Sequence, residues 1–458
     1  MYKRLIKIKN LLLLLVLCAG LSSAPAMGAE TLTLDQAITL ALTKNSGVEI
    51  TKARIEEQEQ KLKEMRSHYW PRLVALGTSA RMTNPIDYQL GQGSITPPMQ
   101  NPPIPIPIPP NDISIRGDET SFVNVTAMVV QPVTQLLKIN SGVDIASTDV
   151  KIAGEELDKV RGDIRYAVEK VYYGILIAGR QKKEAELRIA LEEARLSDAK
   201  NALESGVALP LEISGLKAAL LDKKKELLDI ENQVINLTYM LNDLTGRPLE
   251  TDTLLDDTLT VPDKAQTLAQ YDESALAANH ELAIADLTLK KANLAVDAAK
   301  KEFLPDMNLF ALYNYGHDFN VVNNHIGAVG VSLSWTIFDF GQKSSVLGQR
   351  QALHHQAQRN YQRVKNEVQR EIKKEVTNLR YSDQLVSLAS QAVAFRKNAL
   401  KLASDLDDTG LRLNTTKLEA EAELAKAEAD LFAAKLSRRL VLVNLTTLTG
   451  RPYVREGV

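Results

Sequence analysis

Aromatic residues make up only 5% of this 458-residue sequence, and it has one cysteine, Cys18, close to the start. A lone cysteine excludes both a disulfide framework and a thiolate metal cluster. Charge of one sign is also lacking: 55 basic side chains face 57 acidic ones, so no net field gathers nucleic acid, and a nucleic-acid partner is not expected. The chain contains no Gly-x-x-x-x-Gly-Lys-Ser/Thr phosphate cradle and no His-Glu-x-x-His metal pair. Its six histidines are scattered, and adjacent His354 and His355 would point about 100° apart around a helix, which poorly suits one shared ion. No nucleophile and base can be placed together, and acid pairs on a charged helix surface are weak evidence for acid–base work. No enzyme activity, cofactor or metal site is therefore expected.

What is present is abundant Ala, Leu, Lys and Glu, the composition of long helices packed side by side. At the start, Lys3, Arg4, Lys7 and Lys9 precede the apolar run Leu11 to Leu17, followed by the small residues Ala24, Ala26 and Ala29. That order is expected of a secretory signal peptide over residues 1–29, cleaved after Ala26 or, as the alternative, after Ala29. The run is too short to span a bilayer comfortably, and the bulky Leu17 before Cys18 argues against a lipid anchor.

The chain repeats itself. Leu244-Thr245-Gly246-Arg247-Pro248 recurs as Leu448-Thr449-Gly450-Arg451-Pro452, and the helix stop at Pro71 recurs at Pro305. The second spacing is the longer, which places an extra segment in the first half, where the proline run from Pro97 to Pro110 falls. That run cannot donate ladder hydrogen bonds and reads as a stiff surface loop. Residues 30–250 form a first structural repeat, 251–270 a linker and 271–458 a second repeat. Each repeat holds a helix (Ser46 to Tyr69; Asn279 to Phe303) stopped before its proline, then two strands, then a very long helix, then a glycine-containing break and a returning helix. The strands are expected at Leu73 to Met82, Ser121 to Val130, Met307 to Tyr315 and Ile326 to Trp335; the long helices at Leu136 to Glu204 and Gly341 to Asp408.

The strand-like runs alternate. Val123, Val125, Ala127 and Val129 form one face, as do Met307, Leu309, Ala311, Tyr313 and Tyr315, and Val329, Val331 and Leu333. Runs of about ten residues are what a tilted transmembrane strand needs, and Tyr69, Trp70 and Trp335 fall where strand meets helix, as an interfacial aromatic belt requires. Four strands cannot close a barrel, so several chains must contribute; two would supply about eight strands and three about twelve. Along the first long helix, Leu157, Val160, Ile164, Ala167, Val171, Gly174 and Ala178 step by three and four, and Val168 and Ile175 widen the stripe. A helix touching neighbours on both sides, as in a cylinder of helices, needs such width. Some 65 helical residues would reach about 100 Å, too long for a compact domain.

With the duplication, the proline stops, Gln131-Pro132, Phe338-Asp339-Phe340-Gly341 and the Leu-Thr-Gly-Arg-Pro pair, the chain resembles the TolC family of outer-membrane efflux proteins. Phe340 departs from the glycine common at that point. The resemblance implies a mostly α chain with membrane β structure: a homotrimer whose twelve-stranded barrel, four strands per chain, continues into a long α-helical barrel. It implies an outer-membrane location with a large periplasmic portion. It also implies an exit duct working passively with a periplasmic adaptor (membrane fusion protein) and an inner-membrane pump or ABC-type transporter. The hairpin tips at Gly206, Val207, Leu209 and Glu212 and at Gly410, Leu411 and Leu413 would then dock the adaptor. Thr416 and Glu419 hold the positions that ring the closed periplasmic end in the family, where acidic residues are common; Thr416 is a departure. A soluble periplasmic coiled-coil adaptor or scaffold is the alternative, and it leaves the strands unexplained.

Overall fold

The computed structural model describes residues 31–81, 83, 87–95, 109–116, 121–207, 209–257, 276, 278–317, 325–408 and 414–450. The expected signal peptide, most of the proline run, most of the linker and the second hairpin tip lie outside them. The chain divides into two compact units: Met1–Ile50, Asp158–Asn279 and Val368–Val458 form the first, Thr51–Leu157 and His280–Glu367 the second. In chain order the elements are α1 (Leu34–Lys44), α2 (Ser46–Ser67), β1 (Arg72–Arg81), β2 (Asp87–Leu90), β3 (Ile113–Arg116), β4 (Ser121–Pro132), α3 (Leu136–Glu204), α4 (Pro210–Leu244), α5 (His280–Lys301), β5 (Asp306–His317), β6 (His325–Ser334), α6 (Gln342–Asp408) and α7 (Asn414–Leu448).

The second unit is built on an antiparallel sheet of order β1-β4-β5-β6. Its register sets Val129 beside Leu73 and Ala311, and Ala311 beside Val329, so the alternating apolar residues of β4, β5 and β6 share one face with Leu73 of β1. On the opposite face Asn314 donates from Nδ2 to Asn124 Oδ1 at 2.7 Å and to Thr126 Oγ1 at 2.8 Å. Helices α2 and α5 flank the head of α3 through Arg54–Glu156 (2.8 Å) and Lys291–Asp149 (2.6 Å). Both end two residues before the limit expected from sequence. The chain tightens first into three-residue-spaced bonds, Tyr69 to Arg66 at 3.2 Å and Phe303 to Lys300 at 3.3 Å, because the residue ahead of a proline is pushed out of helical geometry. Two features escaped the sequence reading: α1, capped by Thr33 and Gln36 in a reciprocal box, and the short β2–β3 hairpin.

In the first unit the duplication is visible bond by bond. Asn45, ahead of α2, donates from its side chain to the Leu244 carbonyl at the end of α4 (3.1 Å); Asn279, ahead of α5, does the same to Leu448 at the end of α7 (2.8 Å). Both helices close with a buried threonine, Thr245 or Thr449, bonding back to Leu241 or Leu445 at 2.8 Å. The glycine that follows is left-handed, φ +65 at Gly246 and +59 at Gly450. The repeated Leu-Thr-Gly is thus a helix C-cap of the kind in which glycine avoids the steric cost of a Cβ.

Midway along α3 and α7 lies a buried ionic and aromatic knot. Glu169 is fully buried and accepts from Arg439 Nε at 2.8 Å, with Arg165 Nε at 3.4 Å. The Arg439 guanidinium stands over the Tyr173 ring at 5.4 Å, and Tyr173 packs edge-on against Tyr172 and Phe432. The Tyr172 hydroxyl lies within hydrogen-bond reach of two backbone carbonyls, Leu32 (2.8 Å) and Asp256 (2.9 Å), where the chain segments at Leu32 and Leu255 bridge in parallel. Burial raises the Tyr172 pKa, so the phenol stays protonated and able to donate.

A Cβ at Gly450 would lie 1.8 Å from the Ala278 carbonyl oxygen, whereas one at Gly206 (φ +74) would meet open space. Both alanine variants incur the left-handed penalty of about 1–2 kcal/mol, but only Gly450→Ala also forces the backbone apart. Thermal unfolding in detergent should show the larger loss for Gly450→Ala; equal losses would refute the close packing at this cap.

Candidate functional site

Three surfaces bear on function. The first is the apolar face of the sheet. Val123, Val125, Val129, Leu309, Tyr313, Tyr315, Val329, Val331 and Leu333 are all exposed, an unusual density of apolar groups facing outward. At the helix-proximal end stand Trp70, Phe303, Trp335, Phe338 and Phe340, likewise exposed, with Trp335 Nε1 donating to the Phe303 carbonyl at 3.3 Å. Phe338 and Phe340 pack edge to face at 4.7 Å. Asp339 between them accepts from the Gly341 and Lys343 amides (3.1 and 3.2 Å) and so starts α6. Phe340, which replaces a glycine of the family motif, adopts φ +52, so this chain carries at Phe340 the backbone strain a glycine would avoid. The outer edges of β1 and β6 carry no partner strand among the described residues.

The second surface is the first hairpin tip. Helix α3 ends at Glu204 with the Gly206 amide bonding to Leu203 (3.0 Å) and the Val207 amide to Ala202 (2.9 Å), the paired closure of a Schellman turn. Pro210 opens α4 at a position where its missing N–H costs nothing. Between them Val207, Leu209 and Leu211 project into solvent at 82, 68 and 80% exposure, and Glu212 is exposed in the first turn of α4. Leu211 was not singled out from sequence, though it continues the apolar pattern. Gly410, Leu411 and Leu413 lie outside the described residues.

The third surface is the ionic track between α3, α6 and α7. Glu419 pairs with Arg195 (3.1 Å), which also holds Glu192 (3.0 Å); Glu423 pairs with both Arg188 (3.0 Å) and Arg396 (3.1 Å). Thr416 lies one turn before Glu419 on α7. The sequence pointed to Glu419 as a lone carboxylate; its cationic partner lies 224 residues earlier in the chain, and no local pattern links them. No group of three His, Cys, Asp or Glu side chains is placed to hold a metal, and no helix is long and apolar enough to cross a membrane, among the described residues.

No curated protein matches the sequence. The fold is that of solved outer-membrane proteins. The VceC outer membrane protein of Vibrio cholerae superposes with a TM-score of 0.70 at 17% identity, covering 92% of this chain and 97% of that one. The Campylobacter jejuni CmeC outer membrane channel gives 0.70 at 15%, covering 93% and 90%. The open-state Neisseria gonorrhoeae MtrE outer membrane channel gives 0.68 at 18%, covering 94% of each chain. The sequence itself matches the family described as outer membrane efflux protein over residues 37–247 and 273–451, so the chain belongs to the outer membrane efflux protein family.

Proposed function

We propose that this chain is one of three copies forming a passive exit duct, in which the four-stranded sheet supplies a third of a twelve-stranded outer-membrane barrel and the helices a periplasmic tunnel. It is not an enzyme. The observation that carries the proposal is the sheet: one face apolar and exposed, the other hydrogen-bonded through Asn124, Thr126 and Asn314, and both edges open. In lipid every edge amide and carbonyl must be paired, which closure with neighbouring copies achieves and an isolated sheet does not. An exported signal peptide over residues 1–29 supplies the route to this location. Transport energy comes from an inner-membrane pump or ABC-type transporter, reached through a periplasmic adaptor that docks on the exposed apolar tip at Val207, Leu209 and Leu211. The test is conductance: purified protein in planar bilayers should form steady water-filled channels. Release from membranes by a salt wash, with no conductance, would favour the soluble scaffold reading.

Val125→Asp and Val331→Asp place a charge on the lipid face, where the cost is greatest near the midplane. Heat-resistant oligomers on mild gels should be lost in both, while Asn124→Asp on the other face keeps them. Wild-type assembly in the two valine variants would reverse the assigned faces.

Val207→Asp with Leu209→Asp should abolish export while leaving insertion and conductance intact, read by cargo efflux from cells beside channel recordings. Full export would remove the docking assignment.

At the tunnel's closed end three copies of Glu419 converge, each held by its own Arg195. Glu419→Gln leaves Arg195 with Glu192 alone and removes one negative charge from each copy, so the reversal potential should move toward anions. An unchanged reversal potential would return Glu419 to an ordinary exposed helix position.

A further inference from the structure

Within the first unit α6 and α7 run antiparallel, pinned to each other at Asp383–Arg438 (2.6 Å) and again, about 20 Å further along α6, at Lys397–Glu428 (3.8 Å). Between these pins the two helices border a cavity of about 770 Å³, inside the range of roughly 300–1,000 Å³ found for small-molecule sites. On α7 its lining residues step by three and four from Glu428 to Arg438 and so share one helix face. The apolar part of the lining is Val386 and Val393 of α6 with Leu431 and Phe432 of α7, and Val393 and Phe432 are buried.

The charged part of the lining is unbalanced, with four cationic side chains against three acidic ones. Each acid already has its cation. Arg438 holds Asp383, Lys397 holds Glu428, and Arg180 of α3 donates from one terminal nitrogen to both oxygens of Asp257 at 2.9 and 2.8 Å. The fourth cation, half-buried Lys435, makes no ion pair or hydrogen bond among the described residues. A second donor is also unmet: Arg180 Nε is buried and has no hydrogen-bond partner, a costly state for a charged group. The Arg180 guanidinium stacks over the Phe432 ring at 4.1 Å, and Lys435 follows Phe432 by three residues on the same face of α7. The unmet N–H and the uncompensated ammonium are thereby set close to each other and beside the apolar lining.

That combination selects a ligand chemistry. An inorganic anion would answer the ammonium and leave Val386, Val393 and Leu431 in contact with water. A neutral apolar compound would cover those side chains and leave both donors unmet. A molecule carrying an anionic group on a compact apolar body satisfies both demands, and charge-assisted hydrogen bonds to its carboxylate are the stronger kind.

We propose that this cavity binds an organic anion with a compact apolar body, an aromatic or branched carboxylate, its charged end at Lys435 and Arg180 and its body against Val386, Val393 and Leu431. The site is built within one chain and does not rest on the multi-chain channel reading. The test uses the full-length protein purified in detergent and equilibrium dialysis against radiolabelled 2-naphthoate, with a protein-free detergent blank. Saturable binding above the blank is expected, and the neutral analogue 2-naphthylmethanol and inorganic phosphate should each bind more weakly by about tenfold or more. Lys435→Ala removes no contact among the described residues, so its folding is not at stake, and it should weaken naphthoate by a similar factor. Val393→Asp, which sets a carboxylate in the apolar lining, should abolish binding. Lys225→Ala, at an exposed position of α4 outside the cavity, should bind as wild type does. No saturable binding above the blank overturns the site, as does wild-type affinity in Lys435→Ala. Equal affinity for the alcohol would remove the anion from the proposal, and equal affinity for phosphate would remove the apolar body; either result overturns it.

Discussion

An antiparallel sheet of four strands has two edges, and in hydrocarbon an unpaired edge amide or carbonyl costs several kcal/mol. That requirement governs the second unit. Strand order β1-β4-β5-β6 leaves β1 and β6 outermost, and the register keeps Leu73, Val129, Ala311 and Val329 on one face. Among the helices of the first unit, Leu221 and Leu228 of α4 and Leu388 and Phe395 of α6 are likewise exposed. In both units, among the described residues, the inner elements find partners within the chain and the outer ones keep an exposed side.

Duplication explains how one plan is used twice without identical sequences. What has been kept is the joint at which a returning helix ends against the start of another: asparagine to the last helical carbonyl, threonine to its own helix, glycine left-handed. At Gly450 the opposing carbonyl approaches so closely that no Cβ fits, so the glycine serves both conformation and packing. Arg247 then continues the joint by donating its amide to Asn242 at 2.8 Å and its guanidinium to Thr253 at 3.1 Å.

Between α3 and α7 the polar residues define register more than stability. A buried pair such as Glu169–Arg439 recovers little beyond its desolvation cost, yet breaking such a pair by removing one partner costs about 3–5 kcal/mol where the remaining charge is left uncompensated, and less here because Arg165 also reaches Glu169. Sliding α7 by one turn would separate Glu169 from Arg439, Glu423 from Arg188 and Glu419 from Arg195 together. Apolar seams with a repeating period tolerate such a slip; this series of specific pairs does not.

The sequence by itself determined the long helices and the four strands of the larger sheet, though not α1 or the β2–β3 hairpin. Leu136 to Glu204 is helical from end to end as expected, the four barrel strands differ from expectation by one or two residues at their ends, and the apolar faces of β4, β5 and β6 were legible from alternation. These features depend on local periodicity and on proline and glycine stops, which act through neighbours in the chain. Candidate site residues were legible only as positions: Gly206 as a turn, Glu419 as an acid near a tip. Tertiary structure alone decided that Glu419 faces Arg195, that Asn45 and Asn279 reach the ends of distant helices, that Phe340 takes a left-handed backbone, and that Leu228 of α4 and Phe395 of α6 stay exposed. Each depends on which residues far apart in sequence arrive at the same point in space, and a periodic pattern carries no information about its partner's address.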